Sequence, residues 1–219
     1  MYLIRFASIV FGMFYWSSYA YGVPQFNILD IEGRVEISLD SVDWEVLERP
    51  KQLQSGVWIR TSRTGAAVLL LPDETQTRIG ASTTLRLQAA ASEDESVSMD
   101  LTRGKLWSKT NRKKLKLEIR VPKATASVRG TEWLIDVLKT GSTEISVLEG
   151  TVSLTNAIGG NEDVTFGQKG EIDSSGRISV TKLVNPENAL QFIYPFFPEP
   201  LTYRPAGSIP GWASKLIAL

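Results

Sequence analysis

From about Asp30 to Thr181 the chain consists of short runs of alternating apolar and polar residues, and no stretch there sustains a helical period. Period-2 alternation places successive side chains on opposite faces of a strand, so each run has one face for a core and one for solvent. The expected strands are residues 34–39, 44–47, 56–61, 66–71, 75–79, 83–88, 97–102, 104–108, 116–121, 131–138, 143–148, 150–155, 163–166, 170–173 and 177–180. Turn formers punctuate them: Asp73-Glu74, Arg103-Gly104, Gly141-Ser142, Glu149-Gly150, Gly159-Gly160 and Ser175-Gly176. Many short strands with frequent turns predict an all-β sandwich, barrel or solenoid. No run is long enough to bury a face alone, so neighbours must stack. Residues 67–71, 78–80, 85–87 and 101–106 recur as short strands without a strict period, which favours an irregular β-solenoid or β-helix-like stack.

The two ends differ from this region. Met1 to Arg5 carries one positive charge, Phe6 to Trp16 is an apolar run, and Ser17 to Gly22 supplies small residues for cleavage. That is the layout of a secretory signal peptide, and the run is shorter than the roughly 20 residues of a membrane span. No stable transmembrane segment is expected after cleavage. The expected division is a signal peptide over 1–22, an all-β domain over 23–182, and a short helix with a tail over 183–219. Asn185 suits a helix cap and Pro186 the first helical position, with the helix running to about Ile193. Beyond it Pro195, Pro198, Pro200, Pro205 and Pro210 exclude regular structure. The tail also carries Phe192, Tyr194, Phe196, Phe197, Tyr203 and Trp212, an aromatic content that favours packing back onto the domain.

The chain has no cysteine and no histidine. A Ser-His-Asp triad, a cysteine nucleophile and a Cys/His zinc site are therefore impossible, and no metal or cofactor is expected. With 24 basic and 24 acidic residues, nothing asks for nucleic acid. Carboxylate pairs remain as the only catalytic set, at Asp73/Glu74, Asp94/Glu95 and Glu132/Asp136. Polar residues on a solvent-facing strand explain them equally well, and the chain is expected not to be an enzyme.

Two motifs carry more information. Val128-Arg129-Gly130-Thr131-Glu132-Trp133 and Val147-Leu148-Glu149-Gly150-Thr151-Val152 flank two alternating runs that meet across residues 139–143. Earlier come Thr61 to Asp73, Leu101-Thr102-Arg103-Gly104-Lys105-Leu106 and Ile119-Arg120-Val121-Pro122. In this order the motifs resemble the periplasmic FecR-like family, with Trp133 where the family has Phe and Glu74 where it has the Gly of an Asp-Gly turn. The resemblance implies a solenoid-like all-β module in the periplasm or envelope of a Gram-negative-type bacterium. It implies an exported sensor or scaffold domain used alone, without the cytoplasmic anti-sigma segment, binding an envelope protein or, alternatively, a glycan.

The signature residues Val128, Arg129, Gly130, Thr131, Trp133, Glu149 and Gly150 read as structural: a bend at Gly130, a turn or bulge at Gly150, and Arg129 paired with a buried carboxylate such as Glu149. The candidate partner surface is the basic run of Arg103, Lys105, Lys109, Arg112, Lys113, Lys114 and Lys116, which suits an anionic partner. Trp58, Trp107 and Trp133 are expected in the core.

Overall fold

The computed structural model describes residues 26–72, 74–88, 97–110 and 117–184. The signal peptide, the helix expected from Asn185 and the proline-rich tail lie outside them. All regular structure among the described residues is β, in seventeen strands that form one open hydrogen-bonded network. The network resolves into two ladders that share a single strand, β9 (Val97–Lys109).

Sheet A has the order β4 (Gln52–Leu53), β1 (Phe26–Glu32), β6 (Ala66–Leu70), β7 (Gln76–Ile79), the second half of β9, β12 (Glu132–Val137), β13 (Thr143–Glu149), β16 (Gln168–Ile172) and β17 (Ile178–Lys182). Sheet B has the order β3 (Glu45–Val46), β2 (Val35–Ser38), β5 (Trp58–Thr61), β8 (Thr84–Gln88), the first half of β9, β10 (Leu117–Val121), β11 (Ala124–Val128), β14 (Thr151–Asn156) and β15 (Asn161–Thr165).

The sheets pack face to face around one apolar cluster. Every second residue feeds it, including Ile59, Leu69, Leu85, Met99, Leu106, Ile119, Trp133, Ile145, Val152 and Leu154. Gly170 of β16 shows how close they come: a Cβ there would lie 2.6 Å from Val164 and 2.9 Å from Leu154 on the other sheet.

The chain makes this sandwich by creasing a meander. Strand pairs such as β1/β2, β5/β6 and β7/β8 are each bent in the middle, one half entering sheet A and the other sheet B. In the first half of the domain the creases lie at Gly33, Ser62–Gly65, Gly80–Thr83 and Gly104. They bond to one another, as in Ser62 N–H to Arg34 O at 2.9 Å and Ser82 N–H to Ser62 O at 2.8 Å. Gly104 has φ +97°, and a Cβ would sit 2.4 Å from Thr83, so only glycine lets β9 turn here without displacing its neighbour. In the second half the creases lie on the opposite rim, at Gly130, Gly150 and Gly167. Changing rims reverses one strand direction, which is why β9 and β10 pair in parallel while every other pair is antiparallel.

The solenoid expectation is thereby corrected in its detail. Stacked short strands are present, but β-helix coils stack in parallel, and these stack as reversing hairpins. The runs at 97–102 and 104–108 are one bent strand, not two.

Candidate functional site

The two signature motifs form one structural element. β11 ends at Val128, crosses at Gly130 and enters sheet A as β12; β13 leaves sheet A at Glu149, crosses at Gly150 and enters sheet B as β14. Val128 is the cross-strand partner of Val152 in sheet B, and Trp133 is the partner of Val147 in sheet A. All four side chains are buried in the common core. Gly150 has φ +82°, and a Cβ on it would lie 2.5 Å from Thr131 Cγ2 and 2.9 Å from Gly130 O. The glycines of the two motifs thus sit against each other where two strands change sheets together. Glu149-Gly150 is a crossing between sheets, not the turn of a hairpin, since β13 pairs with β12 and β16 while β14 pairs with β11 and β15.

The expectation that Glu149 is a buried carboxylate is corrected. Arg129 is exposed, and Glu149 is exposed too, lying 3.9 Å from Lys109. The buried carboxylate of this region is Glu132. Its Oε2 accepts from Lys109 Nζ at 2.7 Å and its Oε1 from the Trp107 indole at 3.2 Å. Strand alternation puts Glu132 outward and Trp133 in the core, and the register shift here leaves Leu148 of β13 as the unpaired bulge residue.

The basic run is distributed differently from its appearance in sequence. Lys105 bonds Asp136 at 2.7 Å, so Lys105 and Lys109 are matched one for one by the carboxylates of facing β12. Arg103 donates to Ser82 O at 3.3 Å. Arg112, Lys113, Lys114 and Lys116 lie outside the described residues. Glu132 and Asp136 do share one face of β12, each engaged by a lysine. Among the described residues no group of three or more acidic side chains could hold a metal.

The outer face of sheet B carries what the sequence reading missed. Trp58 is not in the core; it sits half-buried on this face with the Arg86 guanidinium 5.7 Å from its ring centre. Trp44 is also half-buried, and Arg60 lies over it at 4.1 Å. Arg60 in turn bonds Glu36 at 2.8 Å, and Arg34 bonds the other oxygen of Glu36 at 2.7 Å. Hydrogen bonds from Arg34 first, and from Arg60, hold the Glu36 carboxyl below its usual range against the opposing effect of its burial. Along the same face Asp100 accepts from Gln88 at 2.7 Å and from Arg120 at 3.4 Å. The result is a polar platform of arginines, carboxylates and two tryptophan rings. The alternation Trp58, Arg60 and Thr84, Arg86, Gln88 held the signal: these are the positions out of phase with the buried Ile59, Leu85 and Leu87.

Residues 58–153 match the FecR family, described as FecR protein. Over that span the chain is similar to FecR domains. The matched span opens on β5, closes in β14 and includes both signature motifs and the β9 crossing. Two crystal structures of a proposed anti-sigma factor from Parabacteroides distasonis ATCC 8503 share the fold of the FecR domain, one at TM-score 0.51 and 16% identity, the other at 0.50 and 18%. Each alignment covers 57% of this chain and 59% of the other, so the chain spans less than two thirds of either relative. At these identities the likeness is one of fold. No curated protein matches the chain.

Proposed function

We propose that this FecR domain is a non-enzymatic, exported protein-binding sensor or scaffold of the cell envelope, acting in signal transduction. The observation that carries this reading is the outer face of sheet B. Tryptophan and arginine are the residue types that concentrate binding energy in protein interfaces, and here they are fixed on a sheet by ion pairs and ring contacts before any partner arrives, which reduces the ordering lost on binding. The FecR match and the shared fold of the anti-sigma factor support a regulatory setting, and the lysine-bound state of Glu132 and Asp136 supports docking over catalysis. The partner surface is moved by this reading from the basic run to Trp44, Trp58, Arg60 and Arg86.

In-cell crosslinking with mass spectrometry tests it. The expected result is a defined envelope protein whose crosslinks map to β2, β5 and β8. Its binding should weaken about fivefold or more in Trp44→Ala, since truncating an interface anchor removes more than about 1 kcal/mol. A glycan-binding reading is favoured by the same two rings, because aromatic faces stack on sugars. Retention of the domain on purified peptidoglycan with no protein partner would sink the first reading and support the second.

A further inference from the structure

The edge strand β17 (Ile178–Lys182) has five residues, no proline and a single charge, Lys182. Its bonding pattern is fixed at both ends: Arg177 O accepts from Asp173 N–H at 3.0 Å, and Leu183 N–H donates to Gly167 O at 2.8 Å. Backbone groups alternate in direction along an antiparallel strand, so residues 177, 179, 181 and 183 bond β16. The N–H and C=O groups of Ile178, Val180 and Lys182 therefore point out of the edge, and among the described residues β17 pairs with β16 alone. Ile178 and Val180 pack against the core yet stay half-exposed, and alternation puts Lys182 on that same side. A groove of about 380 Å³ lies beside Ile178, lined also by Ile158, Asn161, Glu162, Ser175 and Arg177. Apolar surface is open at both ends of the strand, with Ile158 86% and Val184 75% exposed.

We infer that this edge takes a second copy of the chain, the two β17 strands pairing antiparallel about a two-fold axis at Val180. With Val180 opposite Val180, the register uses every outward N–H and C=O of Ile178, Val180 and Lys182 in both copies. It sets Ile178 opposite Lys182 of the second copy and Ser179 opposite Thr181, so no like charges face each other. One step further, Val184 of the second copy meets Gly176, next to the groove lined by Ile158 and Ile178. Lys182 of the second copy, opposite Ile178, comes to Glu162 in the same groove, and neither of these charges has an ion-pair partner among the described residues. Each contact occurs twice. The axis of such a pair stands perpendicular to the sheet, so sheet A runs on from one copy to the other and the outer faces of both sheets B look the same way. The dimer thus presents two Trp44 and Trp58 platforms to one surface, an arrangement for bivalent docking. The pairing itself does not rest on what docks there.

Sedimentation velocity on the full chain should show a monomer–dimer equilibrium within roughly 1–500 µM, since two five-residue edges make a small interface. A monomer throughout that range overturns the inference. Lys182→Glu and Glu162→Lys should each weaken dimerisation about fivefold or more, with the β circular-dichroism signature unchanged, and the two together should restore it. A dimer that ignores the single changes, or that the double change fails to restore, overturns the inference. The chain has no native cysteine, so single cysteines report the register. Val180→Cys places two thiols on Cα atoms about 5.5 Å apart, within reach of a disulfide. Ile178→Cys lies four residues from its counterpart along the pair, about 13 Å away and out of reach. Mild oxidation should therefore crosslink the first about tenfold faster or more than the second. Equal crosslinking of the two variants assigns the dimer to another face or register and overturns the inference as well.

Discussion

Gly150→Ala is the sharpest test of the claim that the signature motifs are a shared crease. At φ +82° an L-residue occupies the left-handed region at a cost of about 1–2 kcal/mol. The added methyl would also sit 2.5 Å from Thr131 Cγ2 and 2.9 Å from Gly130 O. Neither neighbour is the end of a flexible side chain, so the crossing must shift, and overpacking of that kind costs about 1–3 kcal/mol. Together they predict about 2–5 kcal/mol of destabilisation. Gly141→Ala is the matched control: φ is +85°, but nothing lies within 4 Å of its Cβ, so only the first part applies. Urea unfolding followed by the fluorescence of buried Trp133, with thermal melts beside it, measures the gap. A difference of about 1–3 kcal/mol between the variants corresponds to roughly 2–12 °C in Tm for a domain of this size. Thr131→Ser should partly rescue Gly150→Ala, because it deletes the closest atom, while leaving Gly141→Ala unchanged. Equal destabilisation by Gly150→Ala and Gly141→Ala, or no rescue, would refute the contact between the two crossings.

Glu74→Gly should stabilise the domain by about 0.5–1 kcal/mol in the same assay, because Glu74 holds φ +66° where glycine carries no side-chain penalty. Asn156→Ala should destabilise by about 1–3 kcal/mol, since its side chain joins Gly176 O at 2.9 Å to the N–H groups of Gly160 at 2.7 Å and Ile158 at 3.2 Å. Glu132→Ala should destabilise by a similar amount by orphaning the buried Trp107 indole N–H and removing the Lys109 ion pair, and Glu132→Gln should restore the indole bond. Because the carboxyl of Glu36 is held below its usual range, its contribution is complete above that range and is lost as pH falls through the lowered folded value. Glu36→Gln should therefore narrow the stability difference between pH 7 and pH 3, measured by urea unfolding at both.

Much of the fold was legible because a half-buried strand must alternate, and most expected strands lie within a residue or two of the observed ones. β11 was not. Its core positions are Ala124, Ala126 and Val128, whose small side chains barely stand out from Thr125 and Ser127. β1 was missed too, since no expected strand begins before residue 34: Ile28 and Leu29 are both apolar although only Ile28 is buried, which hides the alternation. The crossings were read as turns because a glycine that reverses a hairpin and one that moves a strand between sheets look alike along the chain; which it is depends on pairings many residues away. Trp133 lies in the core as expected, but Trp58 was misplaced for a related reason. It was read as core because it sits in a β run, yet its neighbour Ile59 owns the inward position, and the ring is left to pack under Arg86. The charges of β9 looked like one basic patch because their partners Glu132 and Asp136 are supplied by β12, more than twenty residues on.

The sheet edges narrow how a partner can meet this domain. Strand addition needs a free edge of some length without charge. β3 and β4 are two residues each, with Pro50 between them, and offer too little ladder. β15 presents exposed Glu162 and Asp163. Among the described residues only β17, with Ile178 and Val180, keeps an edge of ordinary length and low charge. Three of the four edges are therefore blunted against strand addition. That favours docking by surface contact on the outer face of sheet B, through Trp44, Trp58, Arg60 and Arg86, as the chemistry of those side chains does.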